Sequence, residues 1–442
     1  MTYENIKTVI LTILVLISGI LTWNLWTFQP DFDTMDNSDY LNEVALTDHK
    51  EVSKIVKPDR IIYHVNESHF GTNSSADIDK FIREVSSWNF YETKNITTEL
   101  HDMSQLVHGQ GNIEIIFPDL VPIGLYKNVL KIEHENFSSF KFDRIIIDIE
   151  PEQEEGKVYF VKYGKKEEQQ VFMSNINSPK LSRFYKEYYG AATQLPVYFP
   201  VNINDNKTIF LPELAIGMTK YKYLSYRLSS EKFKDALFSD PSFVQKNIIE
   251  SGEEYIDSSS MMSVDHQNKI LEYVNPIGEN DLLIDASELL QKSIDFVNTH
   301  GGWTHAYRYA GMDEANQHVT FRFYDLKGYP VFSDTGISEI SQVWGQNDIY
   351  KYTRPNFILD VPLRSEMSEV TLSSGQTSIE YLKGTKGFKL ELLEDMVPGY
   401  KMSIDEENSN FIVLTPYWYY RYNGSWHRIS MNEAGGIKNG LE

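Results

Sequence analysis

The chain has 442 residues, is 41% hydrophobic and 13% aromatic, carries a formal net charge of −22 and contains no cysteine. That length and composition support two or three packed domains and rule out a disordered chain. The missing thiols rule out disulfides, thiolate metal centres and cysteine nucleophiles, and the acidity argues against a nucleic-acid partner, which needs clustered Lys and Arg.

Residues 8–30 read TVILTILVLISGILTWNLWTFQP, with no Asp, Glu, Lys, Arg or His. A helix of that length rises roughly 34 Å, more than the roughly 30 Å of a bilayer's hydrocarbon core. The run is too long for the apolar core of a signal peptide and ends in Trp23-Asn24-Leu25-Trp26, too bulky for cleavage. The sequence therefore predicts an uncleaved, single-pass membrane anchor. Lys7 precedes it, whereas Asp31, Asp33, Asp36, Asp39 and Glu43 follow. The positive-inside bias puts residues 1–7 in the cytoplasm and the bulk outside the cell membrane, with Trp23, Trp26 and Phe28 at the outer interface. Thr8, Thr12, Val15, Gly19, Thr22 and Trp26 follow a 4-3-4-3-4 spacing, which lines them within about 40° of one helix face. Small and hydroxyl residues on one stripe let membrane helices approach closely, so this stripe is the expected helix–helix contact.

A first domain is expected over 31–200, its first stretch, Asp31–Asp48, an acidic tether. It opens with a strand at Arg60–Val65, then a helix near Ala76–Trp88, capped by Ser75 or Asp77, with Ile78, Phe81, Ile82 and Val85 on one face. Strands are expected at Ile113–Phe117, Arg144–Ile149 and Val158–Tyr163, and a short helix at Ser182–Tyr189. Pro196–Pro200 and the Asn-rich segment after it read as a boundary. A smaller domain, 201–280, would hold strands at Thr208–Leu211 and Tyr221–Tyr226, a helix at Ser230–Leu237, and strands around Tyr255–Val264 and Ile270–Val274. The last domain, 281–442, would hold a helix at Leu283–His300 and a second at Thr377–Leu382. Each is followed by an extended segment and a hairpin, with Pro330-Val331-Phe332 and Pro416-Tyr417-Trp418 in comparable places of a two-copy repeat. The predicted class is α+β: helices packed on mostly antiparallel sheet.

No nucleophile elbow, HExxH, P-loop or kinase signature is present, so no catalytic residue is assigned. Gly109-Gln110-Gly111 reads as a turn. His64 and His69 lie five apart and His101 and His108 seven apart, spacings that put no two imidazoles on one helical face, so no metal ligand is assigned either. His300 and His305 flank Gly301-Gly302-Trp303 and are expected to cap the preceding helix. No cofactor is expected. In the aromatic run 416–422, strand alternation puts Tyr417, Tyr419 and Arg421 on one face. That face is a candidate interface, since Tyr and Arg are enriched there.

Several local phrases resemble the YycH proteins of Gram-positive bacteria. They are Glu4-Asn5-Ile6-Lys7 leading into the anchor, Trp23-Asn24-Leu25-Trp26-Thr27-Phe28-Gln29-Pro30, Gly301-Gly302-Trp303, Gly328-Tyr329-Pro330-Val331-Phe332 and Pro416-Tyr417-Trp418. The resemblance implies a non-enzymatic membrane regulator with a three-domain extracytoplasmic part, the last two domains YycI-like. It implies modulation of the sensor histidine kinase YycG (WalK), which controls cell-wall metabolism, with restraint as the expected sign. The implied partners are that kinase and YycI; a homodimer is left open. An extracytoplasmic ligand-binding sensor and a wall-associated enzyme are the alternatives.

Overall fold

The computed structural model describes residues 17–18, 49–132, 140–148, 155–276, 283–345 and 348–430. The chain divides into two units, Met1–Glu43 and Val44–Glu442. Of the first, only Ile17 and Ser18 are described, and both are helical. The expected anchor and its stripe, Thr8, Thr12, Val15, Gly19, Thr22 and Trp26, thus lie outside the described residues. Among the described residues no helix is long and apolar enough to cross a membrane.

Three sheets organise the second unit. The first has ten strands, in the order Lys207–Pro212, Val197–Asn204, Ser68–Thr72, Arg60–Val65, Ile113–Pro122, Lys141–Asp148, Glu155–Lys162, Gln170–Asn177, Asn89–Asn95 and Lys131–Ile132. All its pairings are antiparallel except the last. Arg60–Val65 is buried along its whole length, and such strands read as near-continuous apolar runs. The Ser75–Val85 helix packs on this sheet. Its cap is Ser74, whose hydroxyl accepts from the Asp77 N–H, and it buries Ile78, Phe81, Ile82 and Val85, the face that the periodicity predicts.

The second sheet is built on Val331–Phe332, Leu393–Ile404, Phe411–Tyr422, Ile216–Arg227 and Phe357–Pro362 in that order, with Ser368–Leu372 and Ser425–Arg428 added at its sides. The third runs Gln245–Ile249, Gly252–Ile256, Met261–Asp265, Ile270–Val274, Ile349–Pro355, Glu339–Trp344, His318–Phe323 and Tyr307–Asp313. The Ala286–Thr299 helix, capped by Asp285, buries Leu289, Leu290, Ile294 and Val297. Sheets with packed helices agree with the α+β expectation.

Several local expectations change. Residue 200 falls inside the hairpin of Val197–Asn204 and Lys207–Pro212, so the first sheet continues to Pro212; the Asn-rich segment is a hairpin turn. Residues 201–280 and 281–442 share two sheets, since Ile216–Arg227 pairs with Phe411–Tyr422 and Ile270–Val274 with Ile349–Pro355. Local sequence carries no record of such distant pairing. Tyr255–Val264 is two strands, because Asp257 accepts from the N–H groups of Ser259 and Ser260 and turns the chain.

Conversely, Phe411–Tyr422 runs unbroken through Pro416. On that side, pairing with Ile216–Arg227 ends at Leu414 and pairing with Ser425–Arg428 begins at Tyr419, so no partner needs the missing N–H. The two phrases read as repeat marks flank one strand: Tyr400 pairs with Val331 on one side and Pro416 on the other.

Trp88 is fully buried, with its ring edge-on to Phe184 at 4.7 Å. Trp88→Ala is expected to destabilise the protein by about 3–5 kcal/mol, read as a lower midpoint in denaturant unfolding; an unchanged midpoint would remove the Trp88–Phe184 contact from the core.

Candidate functional site

The Ala286–Thr299 helix ends in Gly301-Gly302-Trp303. Gly301 and Gly302 both have positive φ, 90° and 62°, and the Gly302 N–H reaches back to the Val297 carbonyl at 2.9 Å, a glycine-dependent helix stop. A Cβ at Gly301 would lie 2.2 Å from the Phe233 ring. This stop brings Trp303 back against the helix, where its indole N–H donates to Asn298 Oδ1 at 2.7 Å.

Asn298 in turn holds the start of the folded part. Its Oδ1 accepts from the Lys50 N–H at 3.0 Å and its Nδ2 donates to the Lys50 carbonyl at 3.1 Å. One side-chain amide thereby imitates a neighbouring strand, satisfying both backbone groups of one residue. Lys50 Nζ donates to the His305 carbonyl at 3.1 Å. Burial, then the nearby Lys57, pushes Lys50 down to about 8. Immediately after, Val52–Ile55 forms a helical turn whose Ile55, with Val56, is buried. The chain that follows the expected tether is thus clamped at the turn.

His300 and His305 divide their roles. His300 is the helix C-cap and stacks on Phe296 at 3.9 Å. His305 is no cation at the helix end: its Nε2 accepts from the Leu359 N–H at 2.9 Å, and burial, then the Arg354 charge, holds it down at about 3.

Polar contacts join the first sheet to the rest. Tyr324 donates to Asp59 at 2.7 Å, Tyr309 to the Leu120 carbonyl at 2.7 Å and Arg308 to Ser75 Oγ at 2.8 Å. Arg60 pairs with Asp395, and Lys141 with Glu314. Beside them lies a cleft of about 440 Å³ lined by charged side chains, among them Asp119, Asp143, Arg144, Lys207, Glu394 and Arg421. Burial raises Asp119 and Asp143 and lowers Lys207.

Behind the cleft wall, a polar cluster forms from residues far apart in sequence. His64 faces His69 across an antiparallel pair, with Nδ1 atoms 2.8 Å apart. Glu114 Oε2 lies 3.3 Å from His64 Nε2 and 3.1 Å from His108 Nδ1. Arg144 Nε holds the other carboxylate oxygen at 2.8 Å, and Tyr163 bonds His108 Nε2 at 2.9 Å. Burial pushes Glu114 up, but His108, His64 and Arg144 outweigh it and keep the carboxyl below the usual range. Burial lowers His64, and it lowers His69 to about 4. Helical spacing could not reveal this cluster, because strand pairing and one loop build it. That loop includes Gly109-Gln110-Gly111, the expected turn, whose Gly111 N–H bonds the His64 carbonyl at 3.0 Å. His101 is exposed and apart from it.

Tyr417, Tyr419 and Arg421 share a face, as alternation requires, and that face is partly packed. Tyr419 is 5% exposed and stacks on Phe332 at 4.0 Å. The Arg428 guanidinium covers the Tyr417 ring at 4.7 Å. Arg421 pairs with Glu394 at 3.0 Å and bonds the Pro118 carbonyl at 3.3 Å. The Val331–Phe332 strand and the Ser425–Arg428 hairpin supply this cover, which leaves Tyr417 and Arg421 partly exposed.

Residues 4–188 match the family described as YycH protein, N-terminal domain, and residues 206–436 the family described as YycH protein, C-terminal domain. A protein of Bacillus subtilis (strain 168) named two-component system WalR/WalK regulatory protein YycH is 24% identical over 461 residues, covering 99% of each chain. The crystal structure of YycH from Bacillus subtilis resembles this one with a TM-score of 0.74 at 21% identity, over 87% of this chain and 98% of the other, a likeness of fold. The expected kinship agrees with these matches, and the relative's name is that of a regulatory protein, in line with the expectation of a non-enzymatic chain.

Asn298→Ala removes both bonds to Lys50 and is expected to destabilise the clamp by about 1–3 kcal/mol. Amide hydrogen exchange at Lys50–Val56 should accelerate; unchanged protection would mean that burial of Ile55 and Val56 alone holds the segment. His305 titrates lower in the folded than in the unfolded chain, so it contributes stability above about pH 6.5 that is lost progressively as pH falls from there towards 3. Thermal stability should therefore fall between pH 7 and pH 4, and fall less in His305→Gln; parallel curves for the two proteins would contradict this.

Proposed function

The chain belongs to the YycH family, and from that premise we propose that it is a non-enzymatic regulator of a WalR/WalK-type two-component system, tied to the cell membrane by residues 8–30. The observation that carries the reading is the match to the Bacillus subtilis regulatory protein over 99% of both chains. The regulated component is the sensor histidine kinase of the WalK (YycG) type, and the expected effect is restraint, exerted together with a YycI-type partner. The stripe Thr8, Thr12, Val15, Gly19, Thr22 and Trp26 docks on the kinase's membrane helices. A few kcal/mol of differential affinity is enough to shift a two-state bundle. The Asn298–Lys50 clamp fixes the chain at Lys50, soon after the proposed anchor in sequence.

The test pairs the full chain with its WalK-type kinase in a membrane two-hybrid assay, comparing wild type with Gly19→Leu. Leucine on the stripe blocks close approach, so the signal is expected to fall at equal protein level. An unchanged signal would move the contact to the extracytoplasmic part, and no signal from wild type would overturn direct contact.

A further inference from the structure

The cluster behind the cleft brings two imidazole nitrogens and one carboxylate oxygen together in a buried pocket. We propose that His64 Nε2, His108 Nδ1 and Glu114 Oε2 form a binding site for a transition-metal dication of the zinc class. The three atoms lie within 4.8 Å of one another, and each histidine nitrogen is 3.1–3.3 Å from the carboxylate oxygen. Tetrahedral zinc, with bonds of about 2.0–2.1 Å, sets its ligand atoms roughly 3.3 Å apart. The fourth position is left for water. His64 and Glu114 are 0% and 1% exposed at their side chains, so the donors are already desolvated and oriented.

The outer atoms are arranged as metal ligands require. Ligating imidazoles are held through the other ring nitrogen, and ligating carboxylates through the other oxygen. Here His69 holds His64 Nδ1, Tyr163 holds His108 Nε2 and Arg144 holds Glu114 Oε1. Phe210 walls the group, its ring 5.2, 4.7 and 5.1 Å from those of His64, His69 and His108. His69, only partly buried, lies towards solvent and marks the way in.

The same atoms form a complete metal-free network. In that state His64 Nε2–H and His108 Nδ1–H both donate to Glu114, His69 donates to His64, and the Tyr163 hydroxyl donates to His108. Metal binding moves each of the two imidazole protons to the outer nitrogen and reverses both outer hydrogen bonds, so neutral histidines serve both states and no imidazole proton is released. Two nitrogen donors favour zinc, copper, nickel and cobalt over calcium and magnesium. The Arg144 charge opposes any cation, which also selects against ions that bind through charge alone.

The test uses untagged, metal-stripped full chain in detergent, with ZnCl₂ as the probe in equilibrium dialysis and CoCl₂ for visible spectroscopy. One equivalent of zinc is expected, weakened at least tenfold in His108→Gln and unchanged in His427→Gln, and bound cobalt should show the absorption bands of a tetrahedral nitrogen-ligated ion. Should His108→Gln fail to fold, the cobalt spectrum of the wild-type chain decides alone. Absence of stoichiometric zinc, zinc retained in folded His108→Gln, or an octahedral cobalt spectrum would overturn the site.

Discussion

One side-chain amide, that of Asn298, ties the beginning of the described fold to its interior. It meets both backbone groups of Lys50 as a sheet neighbour would, and its oxygen also takes the Trp303 indole proton. The geometry exists only because the preceding helix stops at two left-handed glycines, which return Trp303 to the helix surface. Fully buried Arg354 then fixes the stop from below, donating to the Gly302 carbonyl at 3.1 Å with its guanidinium over Phe233. Leaving such a buried charged donor without its acceptor costs about 1.5–3 kcal/mol. The Gly-Gly-Trp phrase carries no chemistry; it shapes the place where the chain enters the fold.

The same economy governs the first sheet. Strand pairing at His64 and His69, with the loop after the Met103–His108 helix, gathers imidazoles around Glu114, and Arg144 connects them to the charged cleft. The polar contacts from Asp59, Ser75 and Leu120 to Tyr324, Arg308 and Tyr309 then join that sheet to the third. Few of these groups are free to move alone, since each buried donor or acceptor left unpaired is penalised. Removing one of these groups therefore penalises its partner as well.

Local signals in the sequence were enough for elements whose burial follows a simple period. Arg60–Val65 and Ser230–Leu237 carry their bounds in apolar spacing, and the buried face of Ser75–Val85 is written in the same way. Gln245–Ile249 is exposed throughout and Ser368–Leu372 at three of its five positions; both are strands because a neighbour pairs with them, which no periodicity records. The interleaving of the second and third sheets is hidden for the same reason. At the site, the glycine stop is legible, but Asn298 meets Lys50 across 248 residues and His64 meets Glu114 across 50. Only the fold brings them together. The aromatic run 416–422 is ambiguous for a different reason, because composition signals interfaces and aromatic cores alike.

If the clamp at Lys50 matters to the proposed regulation, breaking it should change signalling. The direct measurement is expression of the response regulator's target genes in cells carrying the full chain with Asn298→Ala, at wild-type protein level and with the anchor intact. The account predicts that expression moves towards that of cells lacking the protein. Expression identical to wild type, in a variant whose Lys50 segment is demonstrably released, would contradict it.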